Sequence, residues 1–348
     1  MTGSADRSGV ADGARRPVTV VSVPAGLRAQ FFPDRVGERL AAVADCTPVD
    51  EHAAVTGAEL TPLLARTEVL VTAWGFPRLD AELLDRAPAL RLVAHTGASV
   101  KPLVTDELFA RGITVTQAGQ AMARPVAEVA LAFTLALLHQ FPRFDHALHA
   151  GTGWHDAEQA PPRHEILGCP VGVVGASRTG RAYLELVRAL GAEVSVCDPT
   201  LTPADAAALG ARLVDLDDLL AGSRIVALHA PSLPETRHLI GARELALLPD
   251  GAGLVNTARS WLVDEAALVA DLTRGRIDAA LDVFDAEPLP TGHPLRTLPN
   301  VLLTPHQAAG TVQGRRRQGQ IVVDEIARWA AGLPLGHAVT APMLARMG

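Results

Sequence analysis

The sequence predicts an α/β protein of two doubly wound lobes, each a parallel sheet covered by helices on both faces. Three observations carry this prediction. The chain has 348 residues, a length typical of two domains. Short β-branched runs alternate with stretches rich in Ala, Leu, Glu and Arg along most of the chain. A passage rich in Gly, Pro and His, residues 151–170, looks like a connection and separates the alternation into two series.

The first series starts at Pro17, after a polar segment, residues 1–16, that we interpret as a disordered tail. The elements predicted for this series are strands at 18–23, 69–72, 92–95 and 113–115, and helices at 37–44, 80–86 and about 125–140. Pro125 suits the first turn of the last of these helices, because its missing N–H has no intrahelical partner there.

The second series starts at Val171. Its predicted elements are strands at 171–174, 193–197, 212–214, 225–229, 253–256, 277–281 and 301–303, and helices at 264–274 and about 312–331. The last helix carries three consecutive basic residues, Arg315, Arg316 and Arg317, which we interpret as a solvated helix face.

Charge, cysteine spacing and apolar runs exclude several kinds of partner and cellular location. The net charge of −7, without any basic block, disfavours a nucleic-acid partner. The three cysteines are far apart, so we expect neither disulfides nor a metal site, and a reducing compartment fits. We find no uninterrupted apolar stretch of membrane-spanning length and no apolar signal segment, so we expect a cytoplasmic protein without a membrane partner.

A glycine-rich turn, Gly175-Ala-Ser-Arg-Thr-Gly180, follows the predicted strand 171–174 and opens a helix. The dinucleotide-binding pattern is G-x-G-x-x-G, in which the helix N-terminus offers free N–H groups to a pyrophosphate. Asp198 ends the next predicted strand, about 20 residues beyond the turn, where an acid accepts hydrogen bonds from ribose hydroxyls and repels a 2′-phosphate. Pro199 follows it, rather than arginine, so the sequence favours NAD over NADP.

Ser177 stands where that pattern has its second glycine. Its side chain could crowd the pyrophosphate, or its hydroxyl could donate a hydrogen bond to it. On the turn alone, a strand–turn–helix connection that binds nothing is an equal alternative, and Asp198 favours the cofactor site.

Charged residues follow three further predicted strands. Arg259 comes after 253–256, Glu287 after 277–281 and His306 after 301–303. Ligands of open α/β sheets bind at the carboxyl ends of the strands, so these side chains are expected to converge. Arginine binds a carboxylate through two hydrogen bonds, histidine transfers a proton near neutral pH, and a neighbouring carboxylate orients it. Each residue alone is better explained as a surface ion pair or a structural loop residue, but together, each at a strand end, they favour hydride transfer to a ketone.

The segments "NTAR", "ALDVF", "EPLP…HPL" and "NVLLTPH", within residues 256–306, resemble motifs of the D-isomer-specific 2-hydroxyacid dehydrogenases, and the resemblance extends over about residues 69–311. It implies an NAD-dependent oxidoreductase acting on a D-2-hydroxy acid and its 2-keto acid. By motif match, Arg259 would bind the substrate carboxylate and keto oxygen, His306 would be the acid/base, and Glu287 would pair with His306.

The resemblance also implies a domain order. A flavodoxin-like substrate domain, 17–122 and 313–348, would receive an inserted Rossmann NAD-binding domain, 123–312, with the helix at 126–138 crossing between them. The family is usually dimeric, so a homodimer is expected. The implied cofactor-binding residues are Gly175, Ser177, Arg178, Thr179, Gly180, Asp198, His229, Ala230, Pro231, Thr236, Thr257, Ala258, Asp282, His306, Ala308 and Ala309. The implied substrate-binding residues are Trp74, Ala98, Ser99, Val100 and Arg259.

Besides Ser177, the sequence departs from the family pattern at three further places, the last two of which lie near the expected substrate pocket. Ser260 replaces the glycine after the arginine, and Ser99-Val100-Lys101 replaces a G-V-D turn whose N–H groups help to bind the carboxylate. The asparagine before V-A-E is missing from "GQAMARPVAE". The substrate could therefore be bulkier than glyoxylate or pyruvate. Glu287, rather than glutamine, disfavours a formate dehydrogenase.

Two alternatives stay open at this point. One is a regulatory protein that senses NAD(H) with little turnover, as some corepressors of this fold do, and the altered turns favour it. The other is a family member acting on an oxyanion other than a carboxylate, such as a phosphonate, which the unusual Lys101 would suit.

Overall fold

The computed structural model describes residues 15–151, 154, 158, 161–345 and 347, so most of the expected tail, residues 1–14, lies outside the described part. The chain divides into two compact units. The first unit comprises the described residues up to Ala121 together with Arg315–Ala345, and the second lies within Met122–Gly314.

The strands of both units follow in chain order. They are β1 Val18–Ser22, β2 Asp45–Val49, β3 Val69–Thr72, β4 Leu92–His95, β5 Thr114–Gln117, β6 Pro170–Val174, β7 Glu193–Cys197, β8 Arg212–Leu213, β9 Ile225–Leu228, β10 Gly253–Asn256, β11 Asp278–Leu281, β12 Val301–Leu303 and β13 Ala338–Val339.

The α-helices alternate with these strands. They are α1 Ala25–Phe31, α2 Asp34–Val43, α3 Thr61–Leu64, α4 Ala81–Asp85, α5 Asp106–Ala110, α6 Ala123–Leu138, α7 Phe141–Ala150, α8 Arg178–Ala189, α9 Pro203–Ala208, α10 Leu216–Gly222, α11 Ala242–Leu247, α12 Glu265–Thr273, α13 Val312–Ala330 and α14 Ala341–Ala345.

The first unit contains a six-stranded sheet of order β13-β5-β4-β3-β1-β2. Its first five strands in the chain are parallel and have the 2-1-3-4-5 order of flavodoxin-like sheets. β3 and β4 are buried at every position, as expected for central strands covered on both faces.

The second unit contains a seven-stranded parallel sheet of order β12-β11-β10-β9-β6-β7-β8. This is the order of a Rossmann fold with one strand added at the β12 edge. Helices α6 and α8 pack on it, and the buried Tyr183 of α8 forms a 2.6 Å hydrogen bond with Thr134 of α6. The predicted fold class, two doubly wound parallel sheets, is confirmed.

The sequence prediction missed two strands of the first sheet. β2 lies at the sheet edge and reads Asp-Cys-Thr-Pro-Val, so its polar residues and Pro48 hide the apolar pattern of a strand. β13 has two residues and pairs antiparallel with β5. β13 can pair with β5 only because residues 315–345 belong to the first unit. No local sequence pattern predicts this long-range pairing.

The interpretation of the three arginines as a solvated face is wrong for Arg315. Its side chain is buried, with the guanidinium carbon 4.6 Å from the ring centre of Trp74 and 5.3 Å from that of Phe31. Arg315 shares the inward face of α13 with the core residues Val322 and Ile326, seven and eleven positions later. Arg316 is exposed, as expected.

One segment of the described residues has the length and composition of a membrane span, although Arg124 and Glu128 interrupt its apolar run. Gly119–Leu138, which includes α6, is long and apolar enough by composition, and 56% of its apolar window is buried inside the structure. Ala127, Ala130 and Leu137 of α6 belong to the core that the second sheet forms with α8. Since the core helices of globular proteins pass the same test, this helix is explained by its packing.

Gly319 allows α13 to pack closely on the end of α1 in the first unit. A Cβ atom built at Gly319 would lie 1.7 Å from the carbonyl oxygen of Phe31. We expect Gly319→Ala to lower the free energy of unfolding by about 1–3 kcal/mol, because backbone must move to admit the methyl group. Gly222→Ala, at the end of α10 with no atom within 4 Å of the new Cβ, is the control. Equal urea midpoints for the two variants would contradict this packing argument.

Candidate active site

Three neighbouring strands of the second unit bring the predicted catalytic residues to one edge of the sheet. β10, β11 and β12 are adjacent and parallel, and their last residues, Asn256, Leu281 and Leu303, are in register. Arg259, Glu287 and His306 lie on the loops that follow these strands. Each of the three residues therefore lies beyond the carboxyl end of a strand, as the sequence predicts.

His306 and Glu287 form a direct pair. His306 Nδ1 lies 2.7 Å from Glu287 Oε2, and the other carboxylate oxygen accepts a hydrogen bond from the backbone N–H of Phe284 at 3.1 Å. Since an ionised carboxylate only accepts, the imidazole hydrogen is assigned to Nδ1. Nε2 then remains for a reacting group, and the His306 side chain is 45% exposed.

Asp282 holds the loop that carries His306. Its buried carboxylate accepts hydrogen bonds from Thr304 Oγ1 at 2.5 Å, from Gln307 N at 2.9 Å and from Ala308 N at 3.0 Å. This loop-organising role was not foreseen from the sequence, although a carboxylate directly after an apolar strand is a visible signal. The contact of Asp282 with a nicotinamide stays a prediction.

Arg259 is placed by Asn256, a residue that sequence reasoning did not single out. The Asn256 amide donates to the carbonyl oxygen of Arg259 at 2.9 Å and accepts from the N–H of Ala258 at 3.0 Å. Burial lowers the pKa of Arg259 from its usual value, while the charge of Glu287 acts in the opposite direction. The negative charge of Glu287 therefore partly offsets the effect of burial on the pKa of Arg259.

A cleft of about 590 Å³ opens beside the histidine within the second unit. It is lined by Phe284, Glu287, Pro288, Leu289, Arg296, Leu303, Thr304, Pro305 and His306. Its wall combines apolar side chains with the polar side chains of Glu287, Arg296, Thr304 and His306, a composition typical of a small-molecule site.

The glycine-rich turn connects β6 to α8. Gly175 has φ +93°, a conformation that favours glycine, and a Cβ at Gly180 would lie 2.1 Å from the Gly175 carbonyl oxygen. Ser177 has φ −61°, so glycine is not required there, and its hydroxyl caps α8 by accepting from Gly180 N at 3.3 Å. The serine thus occupies one N–H of the helix end, and those of Arg178 and Thr179 remain for an anion.

Asp198 follows β7, next to this turn. One carboxylate oxygen accepts from Ala176 N at 2.7 Å, and the other accepts from the N–H and hydroxyl of Thr200 at 2.8 and 2.6 Å. Burial raises the pKa of Asp198, but the hydrogen bonds from Thr200 and Ala176 outweigh it and the pKa is lowered. The carboxylate is therefore ionised at neutral pH, as discrimination against a 2′-phosphate requires.

His229 directly follows β9 and lies next to the glycine-rich turn. It is buried against the ring of Tyr183, with ring centres 5.0 Å apart, and its burial lowers the pKa to about 3. Neither ring nitrogen has a hydrogen-bond partner among the described residues, and the same holds for the buried Thr257 hydroxyl. These orphaned polar atoms, with the open helix end and Asp198, fit a dinucleotide.

The remaining predicted cofactor residues lie on loops of the same unit. Thr236 Oγ1 donates to Pro231 O at 2.7 Å and accepts from Leu233 N at 2.9 Å, which closes the loop after His229. Trp261 Nε1 donates a hydrogen bond to Leu233 O at 2.8 Å, which ties the loop after β10 to the same loop. Ala230 and Ala308 are buried and Ala309 is half-buried. All cofactor contacts stay predictions.

The predicted substrate residues other than Arg259 belong to the first unit. Trp74 follows β3, and Ala98, Ser99 and Val100 follow β4, at the carboxyl end of that sheet. Trp74 is 39% exposed, while Val100 is buried. Their contact with a substrate stays a prediction.

The Asp198 carboxylate should set the choice of cofactor. We expect Asp198→Ala to weaken NADH binding about tenfold and to bring the affinities for NADPH and NADH closer together, because the charge that repels a 2′-phosphate is lost. Asp205→Ala is the matched control, since Asp205 also accepts hydrogen bonds from a threonine, Thr202, but caps α9. Unchanged NADH and NADPH dissociation constants in Asp198→Ala, measured by fluorescence titration, would refute this role.

The second unit also matches a known family of domains. Residues 131–308 match the D-isomer specific 2-hydroxyacid dehydrogenase, NAD binding domain. D-3-phosphoglycerate dehydrogenase of Mycobacterium tuberculosis (strain ATCC 25618 / H37Rv) is 41% identical over 255 residues, or 73% of this chain and 48% of that protein. This chain therefore spans about half the length of that relative. Glyoxylate reductase of Aeropyrum pernix is 36% identical over 262 residues, or 73% of this chain and 78% of that protein.

The fold has close counterparts among solved structures. The TT0316 protein from Thermus thermophilus superposes with a TM-score of 0.77 at 29% identity, covering 93% of this chain and 100% of that one. The resemblance inferred from the motifs is thereby confirmed: the chain belongs to the D-isomer specific 2-hydroxyacid dehydrogenase family, and its second unit contains the NAD-binding domain of that family.

Proposed function

We propose that this chain is an NAD-dependent oxidoreductase that interconverts a D-2-hydroxy acid and its 2-keto acid. The observation that carries the proposal is the 2.7 Å contact between His306 and Glu287 on the sheet edge that also holds Arg259. The names of the relatives, D-3-phosphoglycerate dehydrogenase and glyoxylate reductase, support the same reaction class. A homodimer and a cytoplasmic location remain predictions.

Each residue has a defined task in the proposed reaction. Arg259 binds the substrate carboxylate through paired N–H groups and leaves the keto carbon beside the histidine. Bound NADH supplies the hydride. His306 Nε2 donates a proton to the keto oxygen as that oxygen gains charge, and in the reverse direction it accepts the hydroxyl proton. Glu287 orients the imidazole and stabilises its protonated form.

The loop hydrogen bonds described above make this arrangement stiff. Asp282 fixes Thr304, Gln307 and Ala308 on either side of His306, and Asn256 fixes the turn before Arg259. Holding both groups in place before the substrate arrives reduces the entropy that must be lost in the reaction step.

A screen of 2-keto acids with NADH and NADPH tests the reaction class. We expect NADH oxidation at an ordinary enzymatic rate, above about 1 s⁻¹ for the preferred acid, and a preference for NADH over NADPH. Tight NADH binding without turnover of any acid would instead favour the NAD(H)-sensing regulatory protein, for which the altered Ser99-Val100-Lys101 turn is the supporting observation.

His306→Gln tests the proton-transfer role. We expect kcat to fall about 10²- to 10⁴-fold while the NADH dissociation constant stays nearly unchanged, because the lost group acts on the substrate oxygen. The control is His293→Gln, since His293 lies 3.2 Å from Glu265 in a second histidine–glutamate pair of the same unit. A His306→Gln enzyme with full turnover would overturn the assignment, as would equal losses in both variants.

A further inference from the structure

Trp261 joins two loops of the second unit that have separate expected tasks. It lies within residues 259–262, which we call the anchor turn because Arg259 begins it. The indole N–H of Trp261 donates a hydrogen bond to the carbonyl oxygen of Leu233 at 2.8 Å. Leu233 belongs to residues 229–236 after β9, which we call the cofactor loop because predicted NAD-binding residues lie on it. One side chain therefore connects the turn of the substrate-binding arginine with the loop expected to bind the cofactor.

A cation lies over the ring of the same tryptophan. The guanidinium carbon of Arg237 is 5.2 Å from the ring centre of Trp261, within the range of a cation–π interaction. Trp261 is still 40% exposed, so burial of its apolar surface accounts for only part of its placement. The hydrogen bond to Leu233 and the contact with Arg237 are directional, and together they determine how the indole is oriented.

Backbone hydrogen bonds extend this junction. His238 N donates to the carbonyl oxygen of Trp261 at 2.9 Å, and Ile240 N donates to that of Leu262 at 2.9 Å. His238 has φ +49°, a left-handed conformation that is unfavourable for a residue with a side chain and persists where surrounding contacts enforce it. The strained residue therefore lies where the chain leaves the cofactor loop and meets the anchor turn.

The position of the Arg259 guanidinium follows from that of the anchor turn. Its Nη1 donates to the carbonyl oxygen of Ala258 at 2.6 Å, so the side chain is tied to the backbone beside it. Asn256 fixes the carbonyl oxygen of Arg259 from the side of β10, and Trp261 fastens the turn to the cofactor loop on the other side. Without the indole contact the turn has fewer constraints, and the guanidinium would sample more positions.

We propose that Trp261 is a positioning residue for Arg259. By fastening the anchor turn to the cofactor loop, it holds the guanidinium in the orientation that binds the carboxylate of the 2-keto acid. Binding groups that are held in place bind more tightly, because less conformational freedom is lost when the ligand arrives. This inference rests on the proposed function, since Trp261 acts through the role assigned to Arg259.

The kinetic test uses the full chain, NADH and the 2-keto acid that the screen identifies. Trp261→Phe keeps an aromatic ring but removes the indole N–H. We expect KM for the keto acid to rise about 5- to 10-fold, while kcat changes less than about threefold and the NADH dissociation constant less than about twofold. The effect falls on KM because Arg259 binds a carboxylate that is present in both the substrate and the transition state.

Trp154→Phe is the matched control. The indole of Trp154 also donates a hydrogen bond within the second unit, to Glu158 Oε1 at 2.9 Å, so the same group is removed at another place. All three constants should stay at the wild-type values. An equal rise of KM in Trp154→Phe and Trp261→Phe would contradict the positioning role, as would an unchanged KM in Trp261→Phe or an equal weakening of NADH binding.

Arg237→Gln is a second variant, which keeps Trp261 and removes the cation over its ring. It should raise the same KM about two- to fivefold with kcat unchanged. The melting temperature shows whether Trp261→Phe is folded. If it is not, the KM of Arg237→Gln decides, and a wild-type value would overturn the proposal.

Hydrogen exchange keeps this proposal separate from the proposed reaction, because it needs neither NADH nor a keto acid. Amide exchange is followed by mass spectrometry in the wild type, Trp261→Phe and Trp154→Phe. We expect the N–H groups of residues 259–263 to exchange about 5- to 10-fold faster in Trp261→Phe alone, with residues 176–182 of the glycine-rich turn and α8 unchanged.

The two exchange results have different meanings. Faster exchange of residues 259–263 in a protein that turns over no keto acid would support the contact that orders the anchor turn and would count against the proposed function alone. Equal exchange in the wild type and Trp261→Phe would overturn the positioning role, even if the enzyme reduces a keto acid.

Discussion

The buried carboxylate of Asp282 is the constraint on which the active-site edge depends. It follows β11 and accepts three hydrogen bonds from the loop after β12, so it joins the ends of two neighbouring strands. Without a partner such a buried charge would be costly, and the three donors remove that cost. The same hydrogen bonds determine where the backbone of His306 lies, and hence its reach to Glu287.

Hydrogen bonds also fix the glycine-rich turn between β6 and α8 of the same unit. Ser177 caps α8, and Asp198 accepts a hydrogen bond from Ala176 N, so these two side chains hold the glycine-rich turn in place. The serine therefore has a structural role in the helix cap that does not depend on a ligand. Its hydroxyl and the remaining helix N–H groups lie at one helix end, where an anion is favoured.

In the first unit, one face of α13 carries both apolar core residues and a buried arginine. α13 packs Val322, Val323 and Ile326 into the sheet, and the same face places Arg315 against Phe31 and Trp74. A guanidinium stacks on aromatic rings while keeping its edge polar, which a lysine could not do in this setting. Burial here therefore coexists with an unsatisfied charge.

The sequence by itself determined the fold class, the order of most strands, and the positions of Arg259, Glu287 and His306 beyond strand ends, because apolar periodicity and parallel strands constrain these directly. Only the tertiary structure decided what Asp282, Asn256 and Ser177 bind, and that Arg315 is buried. The edge strand β2 and the short β13 also depended on it. These features arise from contacts between residues far apart in the chain, or from backbone hydrogen bonds, and neither leaves a periodic signal in the sequence.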